Sequence, residues 1–215
     1  MLPALIYGTA WKEDDTERLV SLALETGFRG IDTANQRKHY HEAQVGNALT
    51  AAFGRGLRRD EVFVQTKFTF LAGQDQRLPY DPKASIGTQV EQSFAASLAH
   101  LGLATLDSYV LHGPSRREGW NPEDAEVRAF CRQQGVRYQP FSLLTGNPQV
   151  VTSPVLREVA TRVGRTPAQV VFRFASDVGM LPLTGTSDPQ HMKEDLSLDF
   201  TLTAEELARI DRVWK

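Results

Sequence analysis

The sequence predicts an α/β protein built around a parallel sheet, and three observations lead to that prediction. Segments with helical periodicity alternate with short apolar segments typical of strands. In the first half of the chain, three successive strands each end at a polar, titratable residue. No low-complexity linker, tandem repeat or break in composition interrupts the sequence, so we expect a single domain over residues 1–215. Such alternation is typical of βαβ units, whose right-handed connections make successive strands parallel neighbours.

Three helix–strand units are predicted in the first half. Their helices run from a cap at residues 14–16 to Gly27, over residues 42–52 and over residues 85–102, and their strands cover residues 28–31, 61–66 and 108–111. The strands end at Asp32, Lys67 and His112. Parallel strands open onto one face, so these three side chains are expected to converge there. One polar residue at a strand end usually marks only the solvent boundary, but an acid, a base and an imidazole on successive strands favour a functional site.

The second half of the chain shows the same alternation of helices and strands, but with fewer predicted strands. We predict a helix over residues 122–134, a strand over 136–139, helices opening at residues 153–154 and 166–167, a strand over 180–183 and a last helix opening at Thr203. Prolines at first helical positions and a capping-box match at Thr203 support the helix starts. Residues 72–83 are polar and contain proline, which predicts a surface excursion.

Composition narrows the function classes. The formal net charge of −2 disfavours nucleic-acid binding, which usually needs a basic excess. The single cysteine, Cys131, excludes an intrachain disulfide and a thiolate-rich metal site. No apolar run approaches the ~18 residues of a membrane span, and the N-terminus lacks the features of a signal peptide. We expect a soluble cytoplasmic protein with neither a nucleic-acid nor a membrane partner.

Residues 27–49, GFRGIDTANQRKHYHEAQVGNAL, resemble a signature of the aldo-keto reductase family. In that signature an aspartate closes the second strand of a TIM-type (β/α) barrel, and a tyrosine, a glutamate and a glycine follow. Here these are Asp32, Tyr40, Glu42 and Gly46, with the tyrosine three positions later than in the commonest form. VFVQTKF resembles the family's third strand with its lysine, Lys67, and YVLHGPS resembles the fourth with its histidine, His112.

The resemblance implies NAD(P)H-dependent reduction of an aldehyde or ketone, a small-molecule carbonyl substrate. Tyr40 would donate a proton to the developing alkoxide. A tyrosine has an ordinary pKa of about 10, and a neighbouring Lys67 ammonium is expected to lower it. Asp32 would pair with Lys67, and neutral His112 would donate a hydrogen bond to the carbonyl oxygen.

The resemblance also implies a site for NADP(H) or NAD(H). The stretches GTAW, YQPFSLLTGN and LPLTGTSDPQHMKEDL are similar to segments beside the nicotinamide, the pyrophosphate and the adenosine. The implied cofactor residues are Gly8, Thr9, Asp32, Ser142, Leu143, Gly185, Thr186, Ser187, His191, Glu194 and Asp195. Gly185 and His191 replace the lysine and arginine that usually bind the 2′-phosphate of NADP, which weakens the preference for NADP over NAD.

Several residues allow more than one interpretation. His39 and His41 flank Tyr40, but without a third spaced ligand we expect no metal site. Trp11 and Trp120 suit either an apolar substrate pocket or the core. Cys131 is expected to pack rather than to act as a nucleophile.

The chain is shorter than the family's barrel by about two βα units. Only six strand ends are predicted: Gly8, Asp32, Lys67, His112, Gln139 and Leu183. Residues 113–135 supply neither of the two strands that the family places there, which hold the nicotinamide carboxamide. Three outcomes are open: a smaller or open barrel, completion by a second subunit, or a shortened product that folds poorly. We expect the strands ending at His112 and Gln139 to pair directly, or a partner chain, such as a second copy in a homodimer, to cover the open edge.

Two functions therefore compete. The first is a carbonyl reductase that retains Asp32, Tyr40, Lys67 and His112. The second is a pseudoenzyme or interaction subunit descended from such a reductase. Retention of all four residue types favours the first, and the missing nicotinamide ligands keep the second open.

Overall fold

The computed structural model describes residues 2–113 and 131–214, and the chain divides into two compact units. Among the described residues, the first unit comprises residues 2–3 and 7–113, and the second comprises residues 4–6 and 131–214. The single domain stays a prediction. Within the described ranges, every helix is too short or too polar to cross a membrane.

The first unit is a parallel sheet with helices between its strands. Its elements are β1 (Ile6–Gly8, of which Ile6 is assigned to the second unit), α1 (Thr16–Thr26), β2 (Gly30–Asp32), α2 (Glu42–Gly54), β3 (Phe63–Phe68), α3 (Ile86–Leu101) and β4 (Ser108–Leu111). The parallel neighbours are β1 with β2, β2 with β3 and β3 with β4. The three helix–strand units predicted from the sequence are present, with bounds shifted by at most two residues.

Local sequence explains most element ends in this unit. Gly27 adopts φ 117° after α1, which a residue with a side chain rarely adopts. The Ser85 hydroxyl accepts the Thr88 N–H at 3.2 Å and begins α3. The expected side-chain cap of α1 is wrong, because Asp15 instead pairs with Arg18 at 3.1 Å. A short 3-10 turn, Glu13–Asp15, precedes that helix.

The second unit consists mainly of helices. Its elements are α4 (Pro148–Val151), α5 (Pro154–Val163), α6 (Pro167–Asp177), β5 (Leu183–Thr184), α7 (Pro189–Leu196) and α8 (Ala204–Val213). Thr166 and Thr203 each form a capping box, as the sequence predicts for Thr203. Large apolar side chains from α5, α6 and α8, including Leu156, Phe172 and Ile210, are fully buried.

Two strand predictions in the second unit need correction. Residues 136–139 form no strand, although the Tyr138 carbonyl accepts the Leu181 N–H at 3.0 Å. The strand predicted over residues 180–183 is reduced to β5. Pro140 and Pro182 have no N–H to donate, so a regular ladder cannot extend through these segments.

The missing strand also overturns one expectation about the sheet. Because residues 136–139 form no strand, they cannot pair as a strand with β4, which pairs with β3. Leu111, at the end of β4, is 56% exposed. A homodimer covering this edge stays a prediction. Most of the predicted helix over residues 122–134 lies outside the described residues, of which 131–133 are helical.

Candidate active site

An ion pair joins the ends of β2 and β3. Lys67 Nζ lies 2.6 Å from Asp32 Oδ2, and the two side chains are only 11% and 4% exposed. The ammonium also donates to the Thr33 carbonyl at 2.7 Å. Both charges are removed from water, so each depends on the other and on these hydrogen bonds.

Gln65 holds the second oxygen of this carboxylate. Its side-chain amide donates to Asp32 Oδ1 at 2.8 Å and accepts from the Ser108 hydroxyl at 2.9 Å. Sequence analysis missed Gln65. The signal was its place two residues before Lys67 on the same strand, since alternate residues share a face.

Tyr40 lies against both Lys67 and His112. Lys67 Nζ is 4.8 Å from the centroid of the Tyr40 ring, and the centroids of the Tyr40 and His112 rings are 5.5 Å apart in an edge-to-face arrangement. We call Asp32, Tyr40, Lys67 and His112 the strand-end cluster. The structure thus brings together the four side chains proposed for the chemistry.

The expectation that Lys67 lowers the pKa of Tyr40 is wrong for this arrangement. Burial raises the pKa of the Tyr40 phenol above its ordinary value, and the negative charge of Asp32 raises it further. The Lys67 ammonium lies over the ring and is already paired with the Asp32 carboxylate. The Asp32 charge therefore largely cancels the electrostatic effect of the Lys67 ammonium on the Tyr40 phenol.

His112 is neutral in this site. Burial, with the nearby positive charge of Lys67, lowers the pKa of its imidazole to about 4. Its Nδ1 lies 2.7 Å from the Thr69 hydroxyl. Thr69, which sequence analysis missed, is the first residue after β3, and its hydroxyl fixes the orientation of the ring.

The loop before α2 accommodates the late position of Tyr40. The Gln36 carbonyl accepts N–H groups from His39 at 3.2 Å and from Tyr40 at 3.0 Å, which folds the extra residues into a turn. The Gln36 amide donates to the Gly73 carbonyl at 2.6 Å. The surface excursion predicted for residues 72–83 is thus only partly correct. Tyr80 is buried and donates to the Thr69 carbonyl at 2.8 Å.

Trp11 and His39 stack beside this loop. Their ring centroids are 3.7 Å apart, and the backbone N–H of Trp11 donates to the His39 carbonyl at 2.8 Å. Trp11 is 67% exposed, so it does not belong to the core. Trp120 lies outside the described residues, and Cys131 is a half-buried free thiol. Within residues 2–113 and 131–214, no group of three His, Cys, Asp or Glu side chains is arranged to hold a metal ion.

Two of the implied cofactor residues lie beside the strand-end cluster. Gly8 ends β1 opposite Asp32. The Thr9 backbone and hydroxyl both donate to the Asp32 carbonyl at 3.0 Å, and Thr9 is fully buried. These contacts fix the backbone of Asp32 from the neighbouring strand.

The other implied cofactor residues belong to the second unit and differ in exposure. Ser142 is exposed with φ 53°, and Leu143 beside it is buried. Asp195 is buried and accepts the Thr184 hydroxyl at 2.7 Å. Burial raises the pKa of Asp195 to about 6. The Leu143 and Asp195 side chains are thus internal, whereas Ser142 is open to solvent.

Asp188, which sequence analysis missed, accepts two backbone hydrogen bonds within the stretch of residues 185–191. Its carboxylate accepts the N–H groups of Gln190 at 2.7 Å and His191 at 3.2 Å, and so caps α7. Gly185, Ser187 and His191 are exposed, and Glu194 accepts the Gln190 amide at 2.9 Å. The signal was present in the sequence, because Asp before Pro189 is a common helix start.

A family model matches residues 4–215 in two segments. Residues 4–119 and 120–215 match the model of the Aldo/keto reductase family. The chain is 28% identical to an aldo-keto reductase of Mycolicibacterium vanbaalenii, covering 98% of this chain and 88% of that protein. It is 26% identical to the methylglyoxal reductase DkgA of Yersinia pestis, covering 99% and 89%. The first alignment runs over 263 positions although this chain has 215 residues, so the relative contains residues without a counterpart here.

Solved structures show the same fold. An aldo-keto reductase from a Medee basin deep-sea metagenome library superposes with a TM-score of 0.81 at 18% identity, covering 99% of this chain and 92% of that one. An aldo/keto reductase from Brucella melitensis gives a TM-score of 0.77 at 22% identity, covering 98% and 95%. These neighbours have TIM-barrel-like folds. The predicted fold class, a shortened barrel-like α/β fold, is confirmed.

Proposed function

The chain belongs to the aldo/keto reductase family, and from that premise we propose that it reduces an aldehyde or ketone to an alcohol, with Tyr40 as the proton donor. The observation that carries the proposal is the strand-end cluster, in which a phenol, an imidazole and a buried ion pair lie in contact. When bound, a reduced nicotinamide supplies the hydride. The chain's own residues must orient the carbonyl and provide the proton.

His112 orients the carbonyl oxygen in this proposal. A neutral imidazole has one N–H, and its place depends on the partner of the other nitrogen. If the Thr69 hydroxyl donates to Nδ1 across 2.7 Å, the proton of the ring lies on Nε2. That N–H then donates to the substrate oxygen, where negative charge develops.

Tyr40 provides the proton. The raised pKa of its phenol keeps it protonated at neutral pH, which is the form needed to protonate an alkoxide. By microscopic reversibility, alcohol oxidation would start from the phenolate that reduction leaves behind.

Lys67 and Asp32 fix the geometry of Tyr40. The ammonium lies over the Tyr40 ring, a favourable placement for a cation on an aromatic face. Lys67 of the ion pair also donates to the Thr33 carbonyl, and Asp32 also accepts from the Gln65 amide, so hydrogen bonds hold both members of the pair. A rigid, desolvated pair of this kind keeps the phenol in place without solvent reorganisation.

The donor set of the second unit suits a nicotinamide dinucleotide and favours NAD(H) over NADP(H). Exposed Ser142, Ser187 and His191 offer polar groups for phosphate and ribose oxygens. The exposed Asp188 carboxylate, which already accepts the first N–H groups of α7, would repel a further negative charge such as a 2′-phosphate held at this stretch. NADP(H) remains the family-based expectation, and Asp188 is the residue that argues against it.

The direct test is a turnover and binding assay on the purified chain. We expect consumption of NADH or NADPH with methylglyoxal, the compound in the name of the Yersinia pestis relative, and with larger aldehydes. Titration of both dinucleotides by nicotinamide fluorescence measures binding separately. Turnover supports the reductase. Folded protein without binding or turnover would favour the alternative, an interaction subunit descended from a reductase.

A further inference from the structure

Glu42 is a buried carboxylate that the proposed chemistry does not use. It is the first residue of α2, two positions after Tyr40, and its side chain is 2% exposed. Burying a charge is unfavourable unless hydrogen bonds and an opposite charge compensate it. Its partners therefore indicate what the carboxylate does.

Three donors from two other elements converge on Glu42. The Thr66 hydroxyl of β3 donates to Oε1. The Ser97 hydroxyl donates to Oε2 at 3.2 Å, and His100 Nδ1 lies 3.1 Å from the same oxygen. Glu42 thus links the start of α2 to β3 and α3.

The link to β3 involves the strand-end cluster directly. Side chains alternate along a strand, so Thr66 faces Glu42 while its neighbour Lys67 faces Asp32 on the opposite side. A displacement of Thr66 would move Lys67 with it. Glu42 therefore connects the backbone that holds Tyr40 to the backbone that holds Lys67.

Close packing keeps this connection rigid. A Cβ placed on Gly46 of α2 would lie 2.2 Å from the His100 carbonyl oxygen, so α2 and α3 approach too closely for any side chain there. His100 is therefore held next to α2 by its backbone. Its side chain remains 44% exposed and can exchange protons with solvent.

The charges around Glu42 come from α3, β3 and β4. The hydrogen bond to Glu42 raises the pKa of His100. On β4, burial raises the pKa of Tyr109, and the Glu42 charge adds to that. The charge of Lys67, the neighbouring cation on β3, is paired with Asp32. His100 is accordingly the cation that compensates Glu42.

We infer that Glu42 is a positioning residue for Tyr40 and Lys67, and that protonated His100 keeps it in place. This inference rests on the proposed reduction, because positioning is measured as turnover. The hydrogen bonds of Glu42 and His100 go to each other, Thr66 and Ser97, so these two residues act on Tyr40 and Lys67 through α2 and β3. As pH rises through the raised pKa of His100, its charge is lost and Glu42 becomes a buried carboxylate without a cation.

Turnover across pH tests the inference. In the wild type, kcat should fall as His100 loses its proton, with little change in KM. His100→Arg, which keeps the charge, should remove that limb of the profile. His100→Ala should lower kcat about tenfold at neutral pH, since small displacements of catalytic groups are costly. Asp60→Asn, which removes an exposed pair with Arg58, is the matched control and should keep the wild-type profile. An identical profile for wild type and His100→Arg would overturn the inference.

A second measurement does not depend on activity. Ring signals of ¹³C-labelled tyrosines, with Tyr40 assigned through Tyr40→Phe, are followed by NMR as His100 titrates. We expect the Tyr40 signal to shift with the pKa of His100 in the wild type and to lose that shift in His100→Ala. A Tyr40 signal that ignores the His100 titration contradicts the inference even if the wild type is active. A coupled signal in an inactive protein would overturn the proposed reduction and leave the coupling standing.

Discussion

The strand-end cluster of the first unit and the stretch of residues 185–191 of the second are built in opposite ways. Lys67 binds a carboxylate 35 positions away in the chain, and His112 binds a hydroxyl 43 positions away. Asp188 instead binds N–H groups two and three positions away. The whole fold therefore fixes the cluster, whereas local sequence fixes the stretch of residues 185–191.

Substitutions in these two regions should therefore have different effects. A change in the cluster leaves a buried partner uncompensated and should disturb stability and turnover together. A change in residues 185–191 alters exposed charge and should affect ligand preference alone. Substitutions and pH profiles test this difference, and the substitution with the largest expected effect is at Lys67.

Lys67→Met should be the most damaging substitution. It leaves Asp32 buried without its cation, which costs about 3–5 kcal/mol of unfolding free energy. Urea unfolding measures this loss. The double variant Asp32→Asn/Lys67→Met removes both charges and should recover most of the stability but none of the turnover. Recovery of turnover by the double variant would show that the pair is only structural.

His112 in the first unit and Asp195 in the second should change the free energy of unfolding with pH in opposite directions. His112 has a pKa of about 4, below its ordinary 6.5, so between those values the unfolded chain binds more protons and stability rises with pH. Asp195 has a pKa of about 6, above its ordinary 3.8, so between those values the folded chain binds more protons and stability falls with pH.

Variants isolate these two contributions. His112→Gln should remove a rising component from the stability profile measured by urea unfolding between pH 4 and 6.5, and Asp195→Asn should remove a falling component between pH 3.8 and 6. Changes of the same sign in both variants would show that the two sites do not differ as described.

Asp188→Asn should have the smallest effect. Asparagine still caps α7 but removes the negative charge, so stability should hardly change. The affinity for NADPH relative to NADH should increase about two- to fivefold, the range expected for one charge at a helix start. Parallel fluorescence titrations of both dinucleotides measure the ratio. Asp60→Asn serves as the charge-matched control, and an unchanged ratio for Asp188→Asn would remove Asp188 from cofactor selection.

The sequence predicted what depends on pattern and short range. Gly27, Ser85 and Thr203 end or begin helices as expected, and Asp32, Lys67 and His112 lie at strand ends. These features follow from periodicity, capping chemistry and the common direction of parallel strands.

What the sequence did not predict depends on distances between remote residues. Gln65 in β3 and Thr69 just after it look like ordinary polar residues until the structure places Asp32 and His112 against them. The pKa of Tyr40 is raised by burial and by the negative charge of Asp32, which no spacing along the chain reveals. Residues 136–139 have a strand-like sequence, but the ladder they need is interrupted by Pro140 and Pro182.

Turnover by Tyr40→Phe is the most direct test of the central claim, that Tyr40 donates the proton. The substitution removes one hydroxyl and keeps the ring against Lys67 and His112. Tyr109→Phe removes a hydroxyl from the same unit and is the matched control. With methylglyoxal and NADH or NADPH, Tyr40→Phe should lose about a hundredfold to ten-thousandfold in kcat with unchanged dinucleotide binding, while Tyr109→Phe stays active. Wild-type turnover by Tyr40→Phe would contradict the account.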